Sequence, residues 1–369
     1  MPEDLSREAV RVSYLPIMQL QTQALEGLPM AKTRTKNTIY DVARHAGVAI
    51  STVSRVLNNS ADVSEPTRLR VLRAIDELQF RPDRTAKMLA NKQTVTLAVA
   101  TPTFTSPFHN ELLKGIRNRL RERDVDLLLC DLGSSGHSLR LLNFLKRGAV
   151  DGLLLVGVPV DGRLAQELSA LHAPVILIGS RHDDFDSYFW DDVAGARVAV
   201  EHLIESGHTR IGLLASHAKS PVQQDRVEGY RAALQGAGIA FDLELVKTGR
   251  TEKHGGFSEE AGYEAMTELL TIEPRVTAVF ASSDVQALGA WKAVRDAGLS
   301  VPTDVAVVGY DDIKTSRYIG LTSVDQGMQR VAEEATEVLL ARVEHGEDAE
   351  PVSHRIVPRL NVRDSSKKS

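Results

Sequence analysis

The sequence contains almost no cysteine and no apolar run long enough to cross a membrane. With Cys130 as the single cysteine among 369 residues, no disulfide can form within the chain, so nothing favours an oxidising compartment. The longest apolar runs, residues 152–160 and 175–179, fall far short of the roughly 20 residues that a bilayer requires, and the N-terminus lacks a basic segment followed by an apolar one. These absences predict a cytoplasmic protein without membrane contact.

The motifs that mark common enzyme sites are also missing. The glycines within residues 133–136 are not followed by the Gly-Lys-Ser or Gly-Lys-Thr of a phosphate-binding loop, and no Gly-x-Ser-x-Gly motif occurs. The 11 histidines are scattered along the chain, and Cys130 has no base near it in sequence. We therefore expect no catalytic residues, no metal site and no cofactor.

Positive charge is concentrated in one short part of an acidic chain. Residues 30–92 contain 12 Lys and Arg against 6 Asp and Glu, a net charge of +6, which leaves −11 for the rest of a chain whose total is −5. A basic head on an acidic body is expected when one surface binds phosphates and the rest is repelled by them.

Residues 37–59 hold two short apolar-periodic segments separated by Gly47, which predicts a helix-turn-helix. Thr38 can cap the first helix and Asp41 suits its positive end, while Ser51 or Ala49 begins the second helix. Helices of this kind lie in the DNA major groove, where an arginine can bind guanine O6 and N7 together. Geometry alone leaves open an ordinary pair of amphipathic helices.

The residue types in this stretch resemble a known family. Residues 41–48, Asp-Val-Ala-Arg-His-Ala-Gly-Val, and residues 51–58, Ser-Thr-Val-Ser-Arg-Val-Leu-Asn, resemble the DNA-binding headpiece of the lactose/galactose repressor (LacI/GalR) family. The resemblance implies a sequence-specific transcriptional regulator, expected to be a repressor of double-stranded operator DNA. By the same resemblance, the base-reading or groove-edge residues are Tyr40, Ile50, Ser51 and Arg55, and the phosphate contacts are Thr38, Thr52, Ser54 and Asn58.

The segments on either side of the helix-turn-helix differ in character. Residues 1–36 show no periodicity and end in a basic run. We interpret them either as a disordered extension or as the product of a misassigned start, with Met30 as the alternative start. A basic arm that lies along DNA is a further option. Ser64 and Pro66 predict the start of a third helix, which completes a headpiece over residues 37–80.

Residues 81–93 are too short to hold a helix alone in water. In the family this segment is a hinge helix that pairs with its copy in the second subunit, and Leu89 occupies the position of the leucine that enters the minor groove. An ordinary linker is the alternative.

From residue 94 to residue 363 the pattern changes to β-branched runs alternating with amphipathic helices, which predicts mostly parallel, doubly wound sheets. The expected strands are 95–100, 126–130, 152–156, 174–178, 210–215, 278–281 and 305–309. The expected helices are 107–122, 138–147, 163–171, 193–206, 224–236, 258–270, 285–297 and 328–345. So many βα units exceed one comfortable domain and indicate two lobes with a ligand between them.

The family resemblance extends over this body, as in residues 106–112, Ser-Pro-Phe-His-Asn-Glu-Leu, and residues 301–312, which end in Gly-Tyr-Asp-Asp. It implies an effector-binding and dimerisation domain similar to periplasmic sugar-binding proteins, with the chain crossing between the lobes near residues 207, 324 and 348. Lobe one then comprises about 94–207 and 325–347, lobe two about 208–324 and 348–363, and residues 364–369 form a tail.

Five residues align with positions that contact the family's small-molecule effector: Phe108, His109, Arg226, Phe257 and Asp284. Their chemistry suits a polyol, because aromatic faces stack on rings, an arginine donates several hydrogen bonds and an aspartate accepts from hydroxyls. Each residue also has an ordinary structural interpretation, as a helix cap, a surface charge or a core aromatic. The chain departs from the family pattern at His109, at Ser283 and at Gly327, which leaves the effector's identity open.

The leading hypothesis is a homodimeric or tetrameric transcriptional regulator controlled by a small-molecule effector such as a sugar. A ligand-binding or enzymatic protein of the periplasmic-binding type is the first alternative, and the intact headpiece argues against it. A DNA-binding protein whose pocket has lost its ligand is the second alternative.

Overall fold

The computed structural model describes residues 38–57, 62–78, 95–133, 136–145, 150–171, 173–217, 221–345 and 350–367. The chain divides into two compact units, residues 1–92 and 93–369, which are treated separately below. Asn58, Leu89 and the expected hinge at residues 81–93 lie outside the described residues. None of the helices in the described part is long and apolar enough to span a membrane.

The described part of the first unit contains three helices around a small apolar core. They are α1 (Ile39–Ala46), α2 (Ile50–Leu57) and α3 (Glu65–Glu77). Val42 from α1, Val53 from α2 and Val71 from α3 are each fully buried, so all three helices contribute to one core. The short apolar periods at residues 39–46 and 50–57 therefore do predict two helices that pack on each other.

Gly47 makes the tight turn between α1 and α2. Its φ of 64° lies in the left-handed region, which costs glycine little and other residues more. The N–H of Val48 donates to the carbonyl of Ala43 at 3.1 Å, which satisfies a carbonyl at the end of α1. The chain can then turn at once into α2, whose first bonds are accepted by the carbonyl of Ala49.

Lobe one of the second unit is built on a six-stranded parallel sheet, in the order β11-β5-β4-β3-β1-β2. Its strands are β1 (Val95–Thr101), β2 (Val125–Asp131), β3 (Gly152–Val156), β4 (Val175–Ile178), β5 (Asp186–Trp190) and β11 (Ser353–Ile356). Its helices are α4 (Pro107–Leu120), α5 (His137–Leu145), α6 (Gly162–Ser169) and α12 (Met328–His345). Apolar clusters on both faces of this sheet explain why β3 and β4 read as unbroken apolar runs.

Lobe two is built on a second six-stranded sheet, in the order β12-β10-β9-β8-β6-β7, with only the β10–β12 pair antiparallel. Its strands are β6 (Ile211–Ala215), β7 (Val246–Thr248), β8 (Ala278–Ala281), β9 (Ala306–Asp311), β10 (Thr322–Asp325) and β12 (Arg359–Asn361). Its helices are α7 (Asp192–Glu205), α8 (Pro221–Gly236), α9 (Glu259–Leu269), α10 (Asp284–Asp296) and α11 (Lys314–Ile319). α7 and α8 cover one face, and α9 and α10 cover the other.

Two of the three expected crossings between lobes were misplaced. The first, expected near residue 207, lies between Trp190 and Asp192, because α7 packs on the sheet of lobe two and not on the strand that precedes it. The third, expected near 348, lies between Ile356 and Arg359, because β11 extends the sheet of lobe one. The second lies between β10 and α12, at residues 325–328, close to the expected position.

The expected C-terminal tail is part of lobe two as far as it is described. Ser365 is fully buried; its N–H donates to the carbonyl of Gly320 at 2.9 Å and its hydroxyl donates to the carbonyl of Val307 at 2.6 Å. Short polar residues gave no apolar signal, yet their hydroxyls satisfy backbone groups beside β9 and β10. The interpretation of residues 364–367 as a tail was therefore wrong.

Candidate DNA-binding surface and interlobe ligand site

The outward face of the helix-turn-helix carries most of the residues expected to read DNA. Tyr40 on α1 and Ile50 at the start of α2 are 63% and 41% exposed, although both are large and apolar or aromatic. Ser51 and Arg55 are also exposed, and Thr52 and Ser54 are half-buried beside them. Arg55 makes no ion pair with any residue that the structure describes, so its five donors remain available for an acceptor on a base edge.

Thr38 and Asp41 fix the start of α1. Both the N–H and the hydroxyl of Thr38 donate to the Asp41 carboxylate, at 2.9 and 2.7 Å. These hydrogen bonds from Thr38 lower the pKa of Asp41. Because its hydroxyl proton is already donated to Asp41, a phosphate contact by Thr38 requires that bond to change.

Arg226, one of the residues expected to contact the effector, lies on α8 of lobe two. It is 5% exposed, and its Nε donates to Oδ1 of Asp192 at 2.9 Å, while Nη1 donates to the carbonyl of Ser282. Its guanidinium carbon lies 3.7 Å from the ring centre of Tyr310 and 5.9 Å from that of Phe257. Carboxylate and aromatic partners compensate the buried charge, and they fix the plane of the guanidinium.

Lobe one supplies a second set of rings. Phe108, near the start of α4, lies edge-on to His109 at 5.2 Å and to Trp190 at 5.8 Å between ring centres. Val285 and Ile313 of lobe two belong to the same apolar cluster, so the lobes contact each other beside these rings. Trp190 was not among the expected site residues.

His109 is neutral at neutral pH. Burial, with repulsion from His254, lowers the pKa of His109 to about 4 although Asp131 opposes the shift. Its Nδ1 lies 2.6 Å from the hydroxyl of Ser106. A neutral imidazole both donates and accepts hydrogen bonds, which suits a hydroxyl group better than an anion.

A hydrogen-bonded path joins the lobes through Gln326, which lies in the second crossing. Trp190 Nε1 donates to the carbonyl of Gln326 at 2.7 Å, and the side-chain amide of Gln326 donates to Oδ1 of Asp311 at 2.7 Å. Asp311 has a φ of 113°, a strained conformation that non-glycine residues seldom adopt. Burial raises the pKa of Asp311 well above its usual value, with Arg226 opposing the shift.

Asp284 is held inside lobe two by groups of the protein. Its carboxylate is fully buried and accepts hydrogen bonds from the N–H of Ile313 at 2.9 Å and from the hydroxyls of Ser316 and Ser323 at 2.6 Å. Asp284 was expected to contact the effector, but in the structure its carboxylate instead ties the start of α10 to the segment after β9 and to β10. Asp311, in the Gly-Tyr-Asp-Asp segment, interacts electrostatically with Arg226, whose hydrogen-bonded carboxylate is Asp192.

The side chains of the site that the sequence analysis missed are Trp190, Asp192, Tyr310, Asp311 and Gln326. Trp190 and Asp192 flank the first crossing, and the misplacement of that crossing to 207 hid both residues. Asp311 stands in the Gly-Tyr-Asp-Asp motif at the carboxyl end of a strand, where ligands bind in open α/β sheets, so this position was an available signal. Gln326 carries no such signal.

The buried hydroxyl of Ser282 has no hydrogen-bond partner within the described residues. Ser282 is fully buried at the end of β8; its carbonyl accepts from Arg226, and its Oγ has no hydrogen bond there. Buried polar atoms are normally paired, so an unpaired hydroxyl beside Arg226 fits a site that is completed by a ligand or a water molecule.

Two family models match the chain. Residues 38–83 match the bacterial regulatory proteins of the lacI family, and residues 200–366 match the periplasmic binding protein-like domain. The HTH-type transcriptional regulator CelR of Thermobifida fusca is 36% identical over 90% of this chain and 99% of its own length. The ribose operon repressor of Escherichia coli is 36% identical over 83% of this chain and 93% of its own length.

Solved structures agree with the sequence relatives. A complex of the regulator CelR with cellobiose has a TM-score of 0.64 at 36% identity, covering 89% of this chain and all of its own. The lac repressor dimer bound to operator has a TM-score of 0.71 at 28% identity, covering 90% and 99%. A regulator of the same family from Enterococcus faecium with bound ribose has a TM-score of 0.65 at 28% identity, covering 73% and 98%.

Proposed function

The chain belongs to the LacI family of bacterial transcriptional regulators, and we propose that it is a repressor controlled by a neutral sugar bound between its lobes. It is a DNA-binding regulator with a helix-turn-helix headpiece and a two-lobed effector domain. The relatives solved with cellobiose and with ribose support a sugar, and the lac repressor dimer supports a homodimer, with a tetramer as the further possibility.

The charge balance of the interlobe site is the main observation that supports a neutral ligand. Arg226 is paired with Asp192, His109 is held neutral by burial, and Asp311 is shifted towards its neutral acid. A phosphorylated ligand would require an unpaired positive charge at this place, and Arg226 is already committed to Asp192. A neutral polyol instead uses groups that both donate and accept.

The rings of the site give a second reason to propose a sugar. Phe108 and Trp190 from lobe one, and Phe257 and Tyr310 from lobe two, lie around the polar groups. Pyranose and furanose rings combine apolar C–H faces with equatorial hydroxyls, so aromatic walls around a few convergent polar groups are suited to them. We propose Phe108, His109, Arg226, Phe257 and Asp311 as the residues that contact the sugar.

Calorimetric titration with neutral monosaccharides and disaccharides, including ribose and cellobiose, tests this proposal. We expect one sugar to bind, and Phe108→Leu, which keeps apolar volume but loses the ring face, to weaken binding about tenfold. Phe189→Leu is the matched control, since Phe189 lies on β5 outside this ring cluster. Failure of every neutral sugar to bind would instead support the alternative that the pocket has lost its ligand.

For DNA, we propose that the residues that read or border bases are Tyr40, Ile50, Ser51 and Arg55. We propose that the phosphate contacts are Thr38, Thr52 and Ser54. The family resemblance adds Asn58 as a phosphate contact and Leu89 as the leucine that enters the minor groove. Arg55→Ala should cost about 1 to 3 kcal/mol on a site selected from random duplexes and much less on random DNA. Equal losses on selected and random DNA would contradict base reading by Arg55.

A further inference from the structure

Thr105 of lobe one and His254 of lobe two meet at the rim of the proposed sugar site. Oγ1 of Thr105 lies 3.5 Å from Nε2 of His254, the length of a long hydrogen bond. Thr105 is exposed and His254 is half-buried, so this rim contact lies at the surface and not in the core. It adjoins the site on both sides, because Phe108 follows Thr105 by three residues and Phe257 follows His254 by three.

The loop that carries His254 is held tightly against its own lobe. His254, Gly255 and Gly256 are all in the left-handed region, with φ of 51°, 68° and 89°. The N–H of Gly255 donates to the carbonyl of Glu252 at 2.9 Å, and the N–H of His217 donates to the carbonyl of Gly255 at 3.1 Å. A Cβ on Gly256 would lie 2.9 Å from the backbone nitrogen of His217, so the loop packs closely on the segment after β6. This backbone holds the imidazole of His254 against lobe one.

The hydroxyl of Thr105 is positioned by its own lobe as well. The N–H of Thr105 donates to Oγ1 of Thr103 at 3.1 Å, and the two hydroxyl oxygens lie 3.0 Å apart. Ser106, the next residue, caps α4 by accepting the N–H of His109 at 3.3 Å. The rim contact and the start of the helix that carries Phe108 and His109 therefore belong to one short hydrogen-bonded segment.

Electrostatics gives a second indication that His254 faces the site. Burial, and after it repulsion from His254, lowers the pKa of His109 to about 4. His109 belongs to lobe one and is one of the residues that we propose to contact the sugar. The side chain of His254 therefore reaches across to the wall formed by α4 and does not only touch Thr105.

Two further contacts between the lobes bound the same space. At the crossings, Nε1 of Trp190 donates to the carbonyl of Gln326 at 2.7 Å. Val285 and Ile313 of lobe two pack with the apolar residues of lobe one beside Phe108. With the rim contact, the space between the lobes is bounded on three sides, as expected of a site that buries most of the surface of a small ligand.

We propose that Thr105 and His254 limit the ligand to a single sugar ring, an inference that rests on the proposed sugar site. A monosaccharide fits behind the rim contact and lets it form, so the contact adds to the affinity of the closed arrangement. The second ring of a disaccharide occupies the place of these two side chains and breaks the contact. Such a steric block discriminates against the larger ligand without any new contact to the smaller one.

Calorimetry with matched sugars tests this size limit. Each monosaccharide is compared with a disaccharide that contains it: glucose with cellobiose, galactose with lactose, xylose with xylobiose, and ribose with ribosyl-ribose. The unmodified chain should bind one of the monosaccharides at least tenfold more tightly than the matching disaccharide.

His254→Asn should narrow this ratio at least fivefold. Asparagine adopts the left-handed conformation more readily than most residues, so the loop is retained, but its side chain is too short to reach Thr105. Thr105→Ala should act in the same direction. His345→Asn is the matched control, because His345 is exposed at the end of α12, and it should leave the ratio unchanged. The affinity for the monosaccharide reports whether each variant is folded.

Two results would overturn the size limit and leave the proposed sugar site intact. One is a disaccharide that binds the unmodified chain as tightly as its monosaccharide does. The other is a ratio that both His254→Asn and Thr105→Ala leave unchanged. Binding of none of these sugars has a different meaning, since it would overturn the proposed function and the size limit with it.

Discussion

Burial decides the charge state of Asp284. Its three hydrogen bonds, from Ile313, Ser316 and Ser323, favour the ionised form, but the loss of solvation outweighs them and raises its pKa to about 7 from 3.8. Between these two pH values the folded chain therefore binds a proton at Asp284 that the unfolded chain releases. The contribution of Asp284 to stability is largest below pH 4, falls as the pH rises to about 7, and is constant above it.

Asp284→Asn should remove this part of the pH dependence, since an amide does not titrate. The variant loses stability at every pH because an amide cannot accept all three hydrogen bonds. The unmodified chain, however, loses stability as the pH rises and the variant does not. The difference in the free energy of unfolding between them should therefore shift in favour of the variant by on the order of 2 kcal/mol from pH 5 to pH 8. Urea unfolding at the two pH values measures the difference.

Asp183→Asn is the control for this measurement, because the side chain of Asp183 is 88% exposed. Its stability relative to the unmodified chain should not change with pH. If Asp284→Asn behaves in the same way, the carboxyl of Asp284 is ionised in the folded chain at pH 5 and burial does not dominate.

At the scale of elements, α7 and α8 approach closely enough that only glycine fits at their crossing. A Cβ on Gly229 would lie 2.3 Å from the carbonyl oxygen of Val193 and 2.7 Å from the Cβ of Ala196. Both neighbours belong to the helix that begins lobe two, and one of the two contacts is with backbone. The helices cannot separate without opening the apolar cluster beneath them.

Gly229→Ala should therefore destabilise lobe two by about 2 kcal/mol or more through overpacking. Gly236→Ala on the same helix is the matched control, because Gly236 has no atom within 4 Å of the added Cβ. That change should be neutral or stabilising by less than about 1 kcal/mol, as alanine favours helix over glycine. Thermal unfolding of both variants compares them directly, and equal destabilisation would show that packing at Gly229 is not limiting.

The sequence pattern predicted long apolar elements well and strands that are short or of mixed polarity poorly. Strands β3 and β4 lie between helices on both faces and so appear as apolar runs, Leu153–Val156 and Val175–Ile178. Strand β5, Asp-Ser-Tyr-Phe-Trp, mixes polar and aromatic residues, and β7 and β12 have three residues each, so none gave a clear period. Pairing with a neighbouring strand, which sequence does not display, defines these elements.

The residues of the proposed interlobe site also differ in how well the sequence predicts them. The family resemblance predicted Phe108, His109, Arg226 and Phe257 as site residues, and contacts within the structure place Arg226 and Phe257 together. The partner of Arg226, Asp192, depends on where the chain crosses between lobes, and that crossing depends on which sheet α7 covers. A long-range packing choice of this kind leaves no local signal in the sequence.

At the scale of the whole effector domain, three short links connect the lobes, and a hydrogen-bonded path runs between them through the second link. The links lie at residues 190–192, 325–328 and 356–359. Trp190 of lobe one, Gln326 in the second link and Asp311 of lobe two form the path, which ends near Arg226 in the proposed sugar site. A ligand that contacts both Trp190 and Asp311 thereby favours one arrangement of the lobes, and this differential contact is what coupling to DNA requires.

Trp190→Phe should weaken the coupling between sugar and DNA more than it weakens either binding alone. Phenylalanine keeps the ring in the aromatic wall but removes the N–H that donates to Gln326. Coupling is the ratio of the sugar affinity with saturating operator to that without it, typically 5- to 150-fold in allosteric proteins. Because it is a ratio, a simple loss of ring contact with the sugar divides out, and the expected result is a coupling factor several-fold closer to one.

Reciprocity provides an internal check on this measurement, since the sugar must change the operator affinity by the same factor as the operator changes the sugar affinity. Trp291→Phe is the control, because Trp291 lies on α10 among the apolar residues of lobe two and takes no part in the path through Gln326. It should keep the full coupling factor. If Trp190→Phe keeps it as well, the lobes communicate through the apolar contact of Val285 and Ile313 with lobe one, and the hydrogen bond to Gln326 only positions the ring.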